Sequence, residues 1–151
     1  AALHQGRPLI NHVADALRPH VDALAVAGRD WPDLIRIEDA PEPGLGPLGG
    51  LLGGLIYAGQ NGFDAVLTSG CDTLGLMPAH IAALHPGPAV LETLPVVGLW
   101  PTALGPALAE QGLHLRQVRR AWDSQFWPFA NKGYFAFKER LPAILAEGRL
   151  P

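Results

Sequence analysis

The residues of this sequence that are best suited to chemistry follow a short apolar run. Asp72 comes four residues after the run Ala65–Thr68 and two residues after Gly70. The run predicts a buried strand, and ligands of open α/β sheets bind in the crevice at the carboxyl ends of such strands. A lone carboxylate there suits Mg²⁺, which often takes one or two protein carboxylates and leaves other positions to substrate phosphates. Asp72 is therefore a candidate metal ligand, and a solvated turn acid is the alternative.

Cys71, the residue before Asp72, is the one thiol in the sequence. A cysteine nucleophile needs a base to activate it. The six histidines show no spacing that assigns such a base, and they form no metal-binding signature. We therefore expect Cys71 to be a small buried residue that closes the strand.

A glycine-rich junction over residues 44–50 is the second chemical signal. Glycines let a ligand approach the backbone, and the exposed N–H groups of a helix start attract a phosphate or a polar base edge. The alternative is that Gly49, Gly50, Gly53 and Gly54 only let the following helix pack close to the sheet. Glycine patterns are common, so the junction alone leaves both interpretations open.

Arg116, Arg119 and Arg120 lie at helical spacing and would form a small cationic face. Such a face is usually solvated, and the functional alternative is an anionic substrate. Trp100, Trp122 and Trp127 are expected to pack in the core or at its rim.

The elements that must position these residues alternate between helix and strand. This alternation predicts an α/β fold with a three-layer, doubly wound, mostly parallel sheet covered by helices on both faces. The predicted helices cover residues 7–18, 48–60, 78–84, 102–110, 114–122 and 138–147. The predicted strands cover residues 23–27, 34–37, 65–68, 89–91, 95–100 and 126–131.

Composition narrows the class of protein. The chain has 151 residues, of which 48% are hydrophobic and 17% charged, as expected for one folded domain. The net charge is −3 and the 11 Lys and Arg residues are scattered, so no basic stripe offers itself to a nucleic acid. The longest apolar stretch, residues 48–58, is about half of the ~20 residues that a membrane span needs. A single cysteine and no signal peptide predict a cytoplasmic protein. The short apolar stretch and the scattered basic residues predict neither a membrane nor a nucleic acid as a partner.

Several segments, taken in order, resemble the molybdenum cofactor guanylyltransferases. Gly6-Arg7-Pro8-Leu9-Ile10-Asn11-His12-Val13-Ala14 is similar to the start of a helix in that family. Glu38-Asp39 followed by Gly46-Pro47-Leu48-Gly49-Gly50 resembles the family's acid and loop, and Cys71-Asp72-Thr73 with Pro78 resembles its metal-binding segment. The likeness is good over residues 4–85 and continues weakly through 95–101 and 129–131.

The resemblance implies a Rossmann-like nucleotidyltransferase that moves GMP from GTP to molybdopterin cofactor and releases pyrophosphate. It implies that Asp72 holds Mg²⁺ and takes part in catalysis and nucleotide binding. It also implies that Asp39 and the loop contact the guanosine, and that Asn131 lies near the metal or the pterin side. Proteins of the molybdenum cofactor pathway are the implied partners. The nucleotide-binding residues would be Asp39, Gly46, Pro47, Leu48, Gly49, Gly50 and Asp72.

The sequence also departs from the family. The family's first strand, glycine-rich phosphate loop and lysine have no counterpart here, so residues 1–151 are expected to form a single domain that lacks them. The asparagine that the family places after the strand 23–27 is missing, which leaves the base open. A cytidylyl- or sugar-phosphate nucleotidyltransferase is the enzyme alternative. A degenerate domain that binds a cofactor or partner without catalysis is the non-enzyme alternative.

Overall fold

The computed structural model describes residues 2–91, 93–94 and 96–110. Within them, the predicted helices and strands form in the predicted order, with ends that differ from the prediction by at most three residues. The strands are β1 (Leu3–His4), β2 (Arg7–Pro8), β3 (Ala25–Ala27), β4 (Ile35–Ile37), β5 (Ala65–Thr68), β6 (Ala89–Val90) and β7 (Gly98–Pro101). The helices are α1 (Leu9–Leu17), α2 (Pro47–Gln60), α3 (Pro78–Ala82) and α4 (Leu104–Glu110).

A small hairpin that the sequence analysis did not predict precedes α1. β1 and β2 pair antiparallel through a two-residue turn, in which both Gln5 and Gly6 have positive φ (50° and 77°). Two positive φ angles are typical of the tight turns that match the twist of paired strands, and glycine adopts them without strain. The helix predicted from residue 7 therefore begins at Leu9, after Pro8.

The strand pairing is less parallel than predicted. β3 and β4 form a parallel pair, but β7 pairs antiparallel with both β5 and β6 in a separate sheet of order β5-β7-β6. β5 and β6 consequently run in the same direction, with α3 between them in sequence, as the alternation predicts. β7 lies between them and runs in the opposite direction. The prediction of a mostly parallel sheet is thus corrected for the described strands.

Two apolar clusters cover opposite faces of the sheet β5-β7-β6. Because successive side chains of a strand point to opposite faces, Val66 contacts one cluster and Leu67 the other. The first cluster joins α2 and α4 around Trp100, which is buried as expected (1% exposed). The second cluster joins α1 and α3 with Val97 and Leu99 of the sheet. Helices therefore pack on both sides of this sheet, within a mixed α/β fold.

β3 and β5 are less buried than their apolar sequences predict. In β5, Ala65 is exposed and the other three residues are half-buried, whereas three of the four residues of β7 are buried. In β3 only Val26 is buried. The sequence correctly predicts both strands but not their exposure, because exposure depends on what lies beside each strand.

Several predicted elements lie outside the described residues, namely the helices 114–122 and 138–147 and the strand 126–131. Within the described part, no helix is both long enough and apolar enough to cross a membrane.

Candidate functional site

The first half of α2 lies very close to the residues that follow β4, and glycine makes this approach possible. A Cβ at Gly53 would collide with the backbone carbonyl of Glu38. A Cβ at Gly54 would instead make ordinary contacts of 3.5 Å with Val66 and 3.8 Å with Ile37. The glycines on this face therefore bring the helix against the strands, as the packing interpretation of the glycine-rich junction requires. The same approach brings the residues after β4 to the start of the helix.

Asp39 lies where β4 and the start of α2 meet. Its Oδ2 accepts a hydrogen bond from the backbone N–H of Gly44 at 3.2 Å. A Cβ built at Gly28 or Gly50 would lie 3.8 or 3.7 Å from Oδ1 of Asp39, and one at Gly49 would lie 3.3 Å from its Cβ. Three glycines thus surround a half-buried carboxylate. We call Asp39 and these three glycines, Gly28, Gly49 and Gly50, the acid cradle.

The loop before α2 depends on two more glycines. Gly44 and Gly46 have φ of 81° and 68°, a region that favours glycine. Gly46 is the N-cap and Pro47 the first helical residue, a position that suits proline because its missing N–H would have no partner in the helix. No side chain caps this helix start. The partial positive charge at a helix N-terminus favours anionic or electron-rich groups nearby.

Asp72 lies in a turn that follows β5. The N–H of Thr73 donates to the carbonyl of Gly70 at 3.2 Å, which closes the turn. Asp72 is exposed, and a Cβ at Gly70 would lie 2.9 Å from its Oδ1. Gly70 therefore gives this carboxylate the space that it occupies. Both the solvated-turn and the metal-ligand interpretations are compatible with this placement.

Asp72 offers a single exposed carboxylate to a cation. No group of three or more His, Cys, Asp or Glu side chains in the described part of the chain could hold a metal ion. No ion pair of the described residues includes Asp72. An exposed carboxylate with free oxygens suits Mg²⁺, which keeps several waters and binds through one or two carboxylates plus phosphates.

Cys71 is exposed, so the prediction of a buried residue that closes the strand is wrong. β5 ends at Thr68, three residues earlier, and the turn that follows carries Cys71 out of the core. The sequence signal failed because the apolar run ends before the cysteine.

A cavity of about 690 Å³ connects the two halves of the candidate site. Asp39, Gly46, Pro47 and Gly50 line it, and so do residues 69–71 after β5. A volume of this size is typical of small-molecule sites. Two members of the acid cradle, Asp39 and Gly50, therefore line the same cavity as the residues that follow β5.

Three of the predicted residues do not line this cavity. The side chain of Leu48 is buried in the first apolar cluster, and Gly49 is buried beneath Asp39. Asp72 lies one residue beyond the lining. Asn131 and the arginines Arg116, Arg119 and Arg120 lie outside the described residues.

The sequence analysis missed Gly28 as a site residue. Gly28 directly follows β3 and has φ of 72°, and its backbone N–H donates a hydrogen bond to the carbonyl of Ile37 at 2.9 Å. A glycine directly after an apolar run was the available signal. The position of Gly28 beside Asp39 arises only when β3 and β4 pair, so the sequence alone does not indicate it.

A family model described as the MobA-like NTP transferase domain matches residues 1–124, which is most of the chain. The chain belongs to the MobA-like NTP transferase family. This match confirms the resemblance that the sequence segments carry, and such a transferase domain implies a Rossmann-like fold. Nucleotidyltransferases of this kind generally use a divalent metal.

Curated relatives that resemble this chain include molybdenum cofactor guanylyltransferases. A molybdenum cofactor guanylyltransferase of Cereibacter sphaeroides is 36% identical over 117 residues, which cover 69% of this chain and 60% of the relative. The molybdenum cofactor guanylyltransferase of Acidiphilium cryptum (strain JF-5) is 32% identical over 114 residues, which cover 68% of this chain and 58% of the relative. The chain thus spans about three fifths of the length of the relatives that it matches.

Proposed function

We propose that the complete protein transfers GMP from GTP to molybdopterin cofactor. In this reaction a phosphate oxygen of molybdopterin attacks the α-phosphorus of GTP, and pyrophosphate leaves. The observation that carries the proposal is that one family match, over residues 1–124, contains Asp39, the Gly46–Gly50 helix start and Asp72 in a single stretch. The names of the relatives support guanylyl transfer to the molybdenum cofactor.

We assign Asp39 to the nucleoside part of GTP. Oδ2 is engaged by Gly44, which leaves Oδ1 to accept a hydrogen bond from a hydroxyl or an N–H group of the ligand. A carboxylate repels phosphate, so ribose or guanine is the suitable partner. The glycines of the acid cradle have no side chains that would keep a flat base or a sugar away from this oxygen.

We assign Gly46, Pro47, Leu48, Gly49 and Gly50 to the nucleotide-binding segment. Gly46, Leu48 and Gly49 carry its backbone N–H donors, since Pro47 has none and the N–H of Gly50 donates to the carbonyl of Gly46. The buried side chain of Leu48 cannot reach the ligand, so its N–H group is the relevant contact. Helix N-termini present such N–H groups together with a partial positive charge. α2 is 14 residues long, which is enough for a developed dipole.

We assign Asp72 to Mg²⁺ and Asn131 to the metal or pterin side. When bound, Mg²⁺ would neutralise charge on the phosphates, and this is the main requirement of nucleotidyl transfer beyond positioning. Asp72 would hold the ion at the end of β5 through its exposed carboxylate. Its exposed position would leave the carboxylate oxygens accessible to such an ion.

We propose that residues 1–151 belong to one nucleotidyltransferase domain with a three-layer, doubly wound arrangement. The apolar clusters on both faces of the sheet β5-β7-β6 support this layering. GTP, molybdopterin and proteins of the molybdenum cofactor pathway are the proposed partners.

The proposal is tested by pyrophosphate release from the purified complete protein with molybdopterin, Mg²⁺ and either GTP or CTP. We expect release that depends on molybdopterin and is at least tenfold faster with GTP. Faster release with CTP would reassign the protein as a cytidylyltransferase. No release with either nucleotide, while GTP still binds, would favour the non-catalytic alternative.

A further inference from the structure

A network of ion pairs centred on Arg36 lies beside the acid cradle. Nε and Nη2 of Arg36 both contact Oε1 of Glu38 at 2.7 Å, and Nη1 donates to Oδ2 of Asp30 at 2.8 Å. The three side chains lie on the surface, where Arg36 is 44% exposed and the two acids are more exposed. Exposed ion pairs contribute little to stability one at a time. The contribution of this network to the stability of the fold is therefore small.

The two carboxylates of the network belong to the two chain segments that meet at the acid cradle. Asp30 comes two residues after Gly28, and Glu38 comes directly before Asp39. The pairing of β3 with β4 ends at the backbone N–H of Gly28, which donates to the last residue of β4 at 2.9 Å. The side chain of Arg36 therefore joins the two segments beyond the end of their strand pairing.

Glu38 is held from two directions. Its backbone carbonyl lies against Gly53 of α2, where a Cβ would not fit. Its side chain is bound by Arg36, two residues earlier. Ile37 lies between them and points to α2, where its Cδ1 is 3.8 Å from a Cβ built at Gly54. Because successive side chains of a strand point to opposite faces, Arg36 acts from the face away from α2. The residue before the carboxylate of the cradle is thus fixed through its backbone on one face and through its side chain on the other.

We propose that Arg36 is a positioning residue for the nucleotide site, which holds Asp39 in a fixed place relative to Gly28. A Cβ built at Gly28 would lie 3.8 Å from Oδ1 of Asp39, so a small shift of either segment changes the space beside this oxygen. A group that is already fixed binds its ligand more tightly, because less freedom is lost on binding. This inference rests on the proposed role of Asp39 in binding the nucleoside.

The exposure of the network predicts a dependence of nucleoside binding on salt. Attraction between exposed charges is screened as the ionic strength rises. Guanosine is uncharged, so its binding reports on the network without the contribution that phosphates would add. GTP would mix the two effects and is therefore the less suitable probe.

Calorimetry of guanosine binding to the complete protein tests the inference. We expect Arg36→Gln to raise the Kd roughly three- to tenfold, since each lost ion pair contributes little. The Kd of the unmodified protein should rise toward that value between about 0.05 and about 0.5 M NaCl, and the Kd of Arg36→Gln should change less. Asp30→Asn combined with Arg36→Gln should raise the Kd by less than the product of the two separate effects, because members of one network are not independent.

Arg7→Gln is the comparison variant. Arg7 forms an exposed ion pair of 2.8 Å with Asp15 of α1, so this substitution removes a similar pair away from the acid cradle. We expect its Kd for guanosine and the salt dependence of that Kd to equal those of the unmodified protein. A role of Arg36 in stability alone would lower the free energy of unfolding and leave the Kd of the folded protein unchanged.

The outcomes separate this inference from the proposed function. If the unmodified protein binds guanosine and Arg36→Gln binds it equally well, the inference is wrong and the proposed function stands. If the unmodified protein binds cytidine in place of guanosine, the guanylyl assignment is wrong. Weaker binding of cytidine by Arg36→Gln would then still support the inference.

Amide hydrogen exchange tests the inference without a nucleoside. The N–H of Gly28 is the last backbone donor of the pairing between β3 and β4. We expect it to exchange at least about threefold faster in Arg36→Gln than in the unmodified protein or in Arg7→Gln, because local opening becomes easier. Equal rates in the three proteins would show that this end of the strand pair is held without Arg36, and would overturn the inference.

Discussion

The carboxylate of Asp39 accepts a hydrogen bond from the backbone N–H of Gly44 at 3.2 Å. This bond ties the end of β4 to the loop that leads into α2. It uses Oδ2 and leaves Oδ1 beside Gly28 and Gly50. A half-buried acid that is fixed through one oxygen can present the other to a ligand in a defined direction.

Asp39→Asn tests this assignment. The substitution keeps the size of the side chain and removes the charge, so a hydrogen bond from the ligand to a carboxylate becomes a neutral one. Hydrogen bonds to charged groups contribute roughly 1.5–3 kcal/mol. We expect the Kd for GTP with Mg²⁺, measured by calorimetry on the complete protein, to rise about 10- to 100-fold.

Asp33→Asn is the matched control for this change. Asp33 is exposed, and its φ of 61° is one that asparagine also tolerates. We expect its Kd for GTP to match that of the unmodified protein. An unchanged Kd in Asp39→Asn would remove Asp39 from the nucleotide site.

Neighbouring glycines of α2 allow a second test. Gly53→Ala places a Cβ against the carbonyl of Glu38, which is backbone and cannot move aside cheaply, whereas Gly54→Ala makes ordinary contacts. Overpacking costs typically about 1–3 kcal/mol, and replacing a helical glycine by alanine gains up to about 1 kcal/mol. We expect Gly53→Ala to lower the free energy of unfolding and Gly54→Ala to leave it unchanged or raise it.

Urea denaturation of both variants measures this difference. We also expect Gly53→Ala to weaken GTP binding. The added Cβ would push α2 away from Glu38 and therefore from Asp39, the next residue. Equal stability of the two variants would show that α2 does not depend on the close approach at Gly53.

Local sequence signals predicted most of the described fold. Pro78 correctly marked a helix start, and apolar runs correctly located β3 and β5. The helix predicted from Leu48 begins one residue earlier, at Pro47. Such signals act within a few residues, so they identify elements well. The antiparallel pairing of β7 with β5 was not predictable in this way, because it depends on contacts between segments that are distant in the sequence.

The site was predictable to a smaller extent. The family resemblance, confirmed by the family match, singled out Asp39, the glycine-rich loop and Asp72. The contacts of Asp39 with Gly28 and Gly49 arise only when β3, β4 and α2 meet. The exposure of Cys71 depends on where β5 ends, which an apolar run indicates only to within a few residues.

Thr68 links β5 to β7 through a side chain. The indole N–H of Trp100 donates to its hydroxyl oxygen at 2.9 Å, and the hydroxyl donates to the carbonyl of Val96 at 2.8 Å. Thr68→Val keeps the shape and removes both bonds around a buried indole. We expect a loss of about 1–3 kcal/mol in the free energy of unfolding, measured by urea denaturation.

Thr93→Val, at an exposed position, is the control for this substitution. It should change the free energy of unfolding by less than about 0.5 kcal/mol. A loss as large in Thr93→Val as in Thr68→Val would show that the hydroxyl of Thr68 has no special role in joining the two strands.

Asp72 and Cys71 are adjacent and exposed, and their substitutions separate metal binding from nucleophilic catalysis. Asp72→Asn keeps the size of the side chain but removes the charge that a hard cation requires. We expect pyrophosphate release by the complete protein to fall at least 100-fold, and partial recovery at raised Mg²⁺ because the ion then binds by mass action. Cys71→Ser should keep near-normal release, because charge neutralisation and positioning need no thiol. Loss of release in Cys71→Ser, with normal release in Asp72→Asn, would identify the thiol as the reactive group and exclude Asp72 as the essential metal ligand.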